Sequence, residues 1–201
     1  MLRCILFDLY GTLVEIETNE GDERTTIAFA ASMAARFGDD VEKRELSSPL
    51  FKKMQKMGVG LPDEKEPNLR PLLEDHLAYL LNRTPSEWEL RECGVAFRAA
   101  SRRQLALYPG TLAALLELKN RFAVGLVSNA QELFTRSELQ LLELEGLFYP
   151  ELLSSEVGFR KPSKEIFQKA LELADVKANE ALYVGNDPFA DIDGAAALGM
   201  Y

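Results

Sequence analysis

The amino-acid sequence predicts an α/β fold, a doubly wound parallel sheet with a helical domain inserted into it. Three observations lead there. Short runs that are apolar throughout recur at Cys4 to Phe7, Phe122 to Val127 and Ala181 to Val184. Helical patterns of about ten to fifteen residues separate the later runs, the alternation that gives right-handed βαβ units. The interval from Val14 to about Leu107 shows helical texture throughout.

The first run, Cys-Ile-Leu-Phe, suits a strand buried on both faces, and it ends at Asp8. The core is then expected to pause at residue 14 and resume at 108, with residues 15–107 forming the helical insert. Within the insert, Thr25 to Arg36 is rich in alanine, and Leu69 to Leu81 carries apolar residues at three and four spacing. Thr84-Pro85-Ser86-Glu87 has the pattern of a capping box with proline at the first helical position, opening a helix to about Leu105. Glu17 to Glu23 and Gly58 to Asn68 are polar, contain Gly or Pro, and are expected to be hinges or loops.

In the resumed core, a helix over Thr111 to Lys119 leads to the second strand, which ends at Ser128-Asn129. A helix over Ala130 to Leu144, a weaker strand at Glu151 to Ser154 and a helix over Ser163 to Leu173 follow. The last strand, Ala181 to Val184, ends at Gly185-Asn186. The chain stops at Met200-Tyr201, where a fold of this kind usually adds another strand.

Length and composition narrow the function. The chain has 201 residues, 47% of them hydrophobic, enough for one substantial core and a smaller module. Its formal charge of −9, from 32 acidic and 23 basic residues, is opposite to what a phosphate backbone or anionic membrane would attract. A small anionic substrate stays compatible, because a pocket can be locally positive. Two cysteines, Cys4 and Cys93, without CxxC spacing indicate neither a disulfide framework nor a thiolate zinc site, and fit a reducing cytoplasm. No secretory signal or membrane-spanning run is expected. The sole histidine, His76, is expected to be a partly exposed helix residue, and no GxSxG, GxGxxG or P-loop is present.

In open α/β sheets ligands bind beyond the carboxyl ends of the strands, and polar clusters sit where those ends are expected. They are Asp8-Leu9-Tyr10-Gly11-Thr12-Leu13, Ser128-Asn129, Arg160-Lys161-Pro162 and Gly185-Asn186-Asp187-Pro188-Phe189-Ala190-Asp191. In order and character these four clusters resemble the signature motifs of the haloacid dehalogenase (HAD) superfamily. The resemblance covers residues 1 to 14 and 108 to 201, and it implies a Rossmann-like core with a helical cap. It implies Asp8 as a nucleophile that forms a covalent intermediate, Ser128 as a hydroxyl donor to the reacting group, and Lys161 as the charge that balances Asp8. Thr12, Asn129 and Arg160 are then candidate substrate contacts, with a surface role equally open for Arg160, and Asp8, Tyr10 through its carbonyl, Asn186, Asp187 and Asp191 are candidate Mg²⁺ ligands. The alternative for Asp187 and Asp191 is that they cap the helix that follows them.

Two departures keep several functions open. Phosphatases similar to this chain carry a second Asp two residues after the nucleophile, as general acid and then base, where this chain has Tyr10. A tyrosine there could donate a proton but would serve poorly as a base. Many of them read Gly-Asp where this chain reads Gly185-Asn186. The Asp-Leu-Tyr-Gly-Thr-Leu opening resembles metal-independent 2-haloacid dehalogenases instead, yet the Trp-Arg context of their early cap is missing, since Trp88 is the only tryptophan. Hydrolysis of a small phosphorylated metabolite with Mg²⁺ ranks ahead of dehalogenation, with a binding or regulatory role on a weakened scaffold as the third reading. Oligomeric state and natural substrate are not legible.

Overall fold

The computed structural model describes residues 1–54, 56–57 and 61–201. Gly58, Val59 and Gly60, at the start of the segment expected to be a loop, lie outside the described residues. The chain divides into two compact units, one of Met1–Ile16, Leu61–Glu66 and Leu105–Tyr201, the other of Glu17–Gly60 and Pro67–Gln104.

The first unit is built on four parallel strands: β1 (Cys4–Phe7), β4 (Ala123–Ser128), β5 (Glu151–Leu153) and β6 (Ala181–Val184), in the order β5-β4-β1-β6. All four side chains of β1 are buried. The period of two divides them between layers, Ile5 and Phe7 on one face and Cys4 and Leu6 on the other. On the first face they meet Leu115 of α6 (Thr111–Lys119) and Leu139 of α7 (Glu132–Leu141). On the second they meet Ile166, Phe167, Ala170 and Leu171 of α9 (Lys164–Ala174) and Ala195 of the short α10 (Gly194–Ala196). Helices therefore cover both faces, which is why each strand could be apolar throughout. Gly125 of β4 lets the layers close, since a Cβ there would stand 2.6 Å from Leu6 Cδ2.

The strand order decides where chemistry can occur. From β1 the chain winds outward through β4 to β5, then returns to the opposite side of β1 for β6. The winding reverses at β1, and the crevice beyond its carboxyl end is the ligand site of such a sheet. Asp8 is the next residue.

The second unit is helical: α1 (Glu23–Phe37), α2 (Asp39–Ser47), α3 (Leu50–Met54), α4 (Leu69–Leu81) and α5 (Glu87–Ser101). Phe29 and Phe97 meet edge to face at 5.5 Å in its core, beside buried Met33, Leu73, Leu77 and Leu90. The Asp22 side chain caps α1 through Thr25 N, and Asn68 caps α4 through Arg70 N.

The insert differs from expectation in four places. It is not helical throughout, because β2 (Val14–Thr18) and β3 (Arg102–Leu107) pair as a two-stranded ribbon in which the chain passes between units. The alternation Val-Glu-Ile-Glu-Thr is a strand signal of period two, stronger than the polarity that suggested a hinge. Helix α5 accordingly stops at Ser101, short of Leu105. Its capping box is Ser86 with Glu89, two residues beyond the expected start, leaving Pro85 outside the helix. His76 is buried, bonded to the buried carboxylate of Glu45 and, through Nδ1, to Lys53 Nζ at 2.8 Å. An isolated charge could not sit there, and two ionisable partners hold it.

Burial pushes the Cys4 thiol up to about 11. The Cys93 thiol is raised further, by burial and then by the Glu45 carboxylate, so neither supplies a reactive thiolate at neutral pH.

Candidate active site

At the end of β1 the Asp8 amide donates to Val184 O of β6 (2.9 Å), and the side chain enters the crevice only 6% exposed. A carboxylate this buried needs donors. Oδ1 accepts from Lys161 Nζ at 2.7 Å and from Ser128 Oγ at 3.1 Å, and Oδ2 takes a longer contact from Thr12 Oγ1 at 3.4 Å. Two polar clusters more than a hundred residues from Asp8 in sequence thus meet its own cluster on one carboxylate.

Lys161 is 3% exposed, so its ammonium also needs full satisfaction. It has three protons and meets three acceptors: Asp8 Oδ1 (2.7 Å), Asp191 Oδ1 (2.6 Å) and Tyr183 Oη (2.8 Å). The lysine therefore bridges two buried carboxylates. Asn129 fixes its backbone from both sides, accepting from Lys161 N (2.8 Å) and donating to Lys161 O (3.1 Å). Asn129 was expected at the substrate and instead clamps the loop that carries the lysine. Arg160 turns outward, its Nε 3.9 Å from Glu66 and its amide bonded to Glu64 O (2.9 Å). The segment Leu61–Glu66 thus runs along the lysine loop, with Gln131 Nε2 donating to Glu66 Oε1 at 2.8 Å.

The fourth cluster separates into distinct roles. Asp187 accepts through Oδ1 from the amides of Phe189 and Ala190 (2.9 Å each), capping the turn Pro188–Asp193, and the two amides, Ala190 first, hold its carboxyl below the usual range. Asp191 uses Oδ1 on Lys161 and accepts from Asp187 N (3.0 Å) with Oδ2. Asn186 lies over Gly11, its Oδ1 3.3 Å from Thr12 Oγ1. Two glycines permit these approaches. A Cβ at Gly11, whose φ is +85°, would stand 2.6 Å from Asn186 Nδ2, and one at Gly185 would stand 2.3 Å from Asp191 Oδ2.

Tyr10 turns toward α7. Its hydroxyl donates to Glu138 Oε2 at 2.5 Å and lies 3.1 Å from Thr135 Oγ1, both on buried residues.

The crevice also includes side chains that sequence reasoning passed over. Tyr183 of β6 is buried, accepts from Lys161 and donates to Val127 O at 2.8 Å. Burial, then the Asp191 and Asp8 carboxylates, push its phenol well above the usual value, so it remains a neutral hydroxyl. Its signal was a phenol within an otherwise apolar buried strand, since a buried tyrosine needs a partner. Glu138 had a comparable signal, an acid four residues after Phe134 on the buried face of α7. Tyr183→Phe is expected to leave one ammonium proton and the Val127 carbonyl unpaired. A stability loss of about 1–3 kcal/mol by urea denaturation, with a lower kcat and little change in KM, is the expected result.

The geometry is a buried carboxylate at a topological switch point, matched to an ammonium, a hydroxyl and a second carboxylate from other strand ends. A family model, haloacid dehalogenase-like hydrolase, matches residues 2–199. The chain belongs to this hydrolase family. Among relatives of this HAD-like hydrolase, a glyceraldehyde 3-phosphate phosphatase of Pyrococcus furiosus is 27% identical over 99% of this chain and 78% of its own length. A phosphoserine phosphatase of Thermus thermophilus is 36% identical over 55% of this chain and 44% of its own length. A solved 2-haloacid dehalogenase from Pseudomonas syringae superposes with a TM-score of 0.58 at 22% identity, covering 100% of this chain and 84% of that one. A HAD phosphatase from Thermococcus onnurineus gives 0.55 at 22% identity, covering 99% and 84%. Both structures share the fold, an α/β core with a parallel sheet. Among the described residues, no helix of the HAD-like hydrolase is long and apolar enough to cross a membrane.

Proposed function

We propose that this HAD-like hydrolase removes phosphate from a small phosphorylated metabolite, with Asp8 as nucleophile. The observation that carries the reading is the bonding of Asp8 Oδ1 to Lys161 and Ser128 at the switch point. Those donors fix the carboxylate's orientation, so that attack on a phosphorus atom starts from a set geometry. When the covalent phosphoryl group forms, the Ser128 hydroxyl, no longer held by a free carboxylate, can turn to its oxygens. Lys161 keeps Asp191 and Tyr183 as partners throughout, so its charge stays in place while that of Asp8 changes. Relatives named as phosphatases along almost the whole chain support the same choice.

The donors on hand fit Mg²⁺ modestly. Asp8 Oδ2 and Asn186 Oδ1 both approach the Thr12 hydroxyl, at 3.4 and 3.3 Å. Hard oxygens from one carboxylate and one amide, completed by the carbonyl of residue 10, water and substrate, are a set Mg²⁺ accepts. Asp191 is engaged on both oxygens and Asp187 on Oδ1, and among the described residues no three His, Cys, Asp or Glu side chains gather as metal ligands. Bound there, the ion would supply positive charge beside the phosphoryl oxygens.

The test is phosphate release from a panel of phosphorylated metabolites, with Mg²⁺ and with a chelator, alongside halide release from 2-haloacids. Phosphate release that the chelator suppresses is expected. Halide release without metal, in the absence of phosphatase activity, would replace this reading with dehalogenation, and neither product would point to a binding role.

A further inference from the structure

We infer that the substrates of this site are phosphates whose leaving group departs without a proton, acyl phosphates above all, and that simple alkyl phosphates are turned over poorly. The inference rests on the phosphoryl-transfer reading and narrows its substrate class. An alkoxide is a poor leaving group, and a positioned acid that protonates it contributes typically about 10² to 10⁴ in rate. The phenol of Tyr10, the carboxyls of Asp187 and Asp191 and the ammonium of Lys161 have other partners. The Tyr10 proton points into Glu138 at 2.5 Å, a buried carboxylate on α7. Asp191 is buried and already bonded on both oxygens, to Lys161 Nζ and to Asp187 N. Asp187 accepts two backbone amides. The ammonium of Lys161 meets two carboxylates and a phenol. His76, the sole histidine, belongs to the other unit and is buried between Glu45 and Lys53.

With an acyl phosphate the steps balance without an acid. An Asp8 oxygen forms a bond to phosphorus, the bond from phosphorus to the acyl oxygen breaks, and its electron pair leaves on a carboxylate that is stable unprotonated. Water then attacks the aspartyl phosphate, the bond from phosphorus to the Asp8 oxygen breaks, and the carboxylate is regenerated. The two protons of the water go to phosphate and solvent.

The test uses the full chain with Mg²⁺ and compares acetyl phosphate, glycerol phosphate and a series of substituted phenyl phosphates. The expected result is a kcat/KM that falls steeply as the leaving group becomes more basic, with acetyl phosphate preferred over glycerol phosphate by on the order of 10² to 10⁴. Tyr10→Asp is expected to raise kcat for glycerol phosphate far more than for acetyl phosphate. If that variant does not fold, the phenyl series in the unmodified protein decides alone. A kcat/KM indifferent to the leaving group, with phosphate released from all members, overturns the inference and leaves the phosphatase reading intact. Release above the spontaneous rate from none of them overturns both.

Discussion

Lys161→Met is expected to lower the stability of the chain by about 3–5 kcal/mol, the cost of breaking a buried ion pair from one side. Asp8 and Asp191 both contact the ammonium, at 2.7 and 2.6 Å, and both are nearly inaccessible to water. Methionine fills a similar volume but leaves two like charges a few ångströms apart in a medium that screens them weakly. Urea denaturation at neutral pH measures the loss. Acidification, which neutralises a carboxylate, is expected to recover part of it, and adding Asp191→Asn should do the same at neutral pH. A variant within about 1 kcal/mol of the parent would mean that the lysine is not the counter-charge that its contacts make it.

Asp8→Asn is expected to remove at least about 10⁴ of the hydrolytic rate while leaving a folded protein. Asparagine keeps the shape of the side chain and an oxygen for Lys161, and the ammonium retains Asp191 and Tyr183. An amide oxygen is a far weaker nucleophile than a carboxylate, so the covalent step stops. Initial rates of phosphate release, with circular dichroism of both proteins, provide the comparison. A loss below about tenfold would move the nucleophile to another residue. Together the two variants separate roles, since the lysine change acts on folding and rate alike and the aspartate change on rate.

How much of this was legible beforehand varies with the kind of signal. Three of the four strands of the sheet announced themselves because a strand covered by helices on both faces is apolar along its length, as Cys4–Phe7 is, whereas β5, which begins at Glu151, gave a weaker signal. Asp8, Ser128 and Lys161 were legible because each follows such a run or a motif of fixed spacing. The ribbon of β2 and β3 was overlooked because half-buried strands alternate, and Val14–Thr18 resembles a polar hinge if only its charges are counted. The roles of Asn129 and Tyr183 were illegible for another reason. A side chain's partner across the fold depends on distances that no spacing along the chain encodes, and each of these groups finds its partner through packing.

By itself the sequence determined the layered α/β core, the strand ends where polar residues collect and the place of Asp8 at the first of them, because burial patterns and backbone periodicity are local properties. Only the tertiary structure decided that Lys161 bridges two carboxylates, that Asn129 clamps the lysine loop and that the Tyr10 hydroxyl rests on Glu138. The physical reason is desolvation: once buried, every charge and hydroxyl takes whichever partner the packed chain brings within about 3 Å.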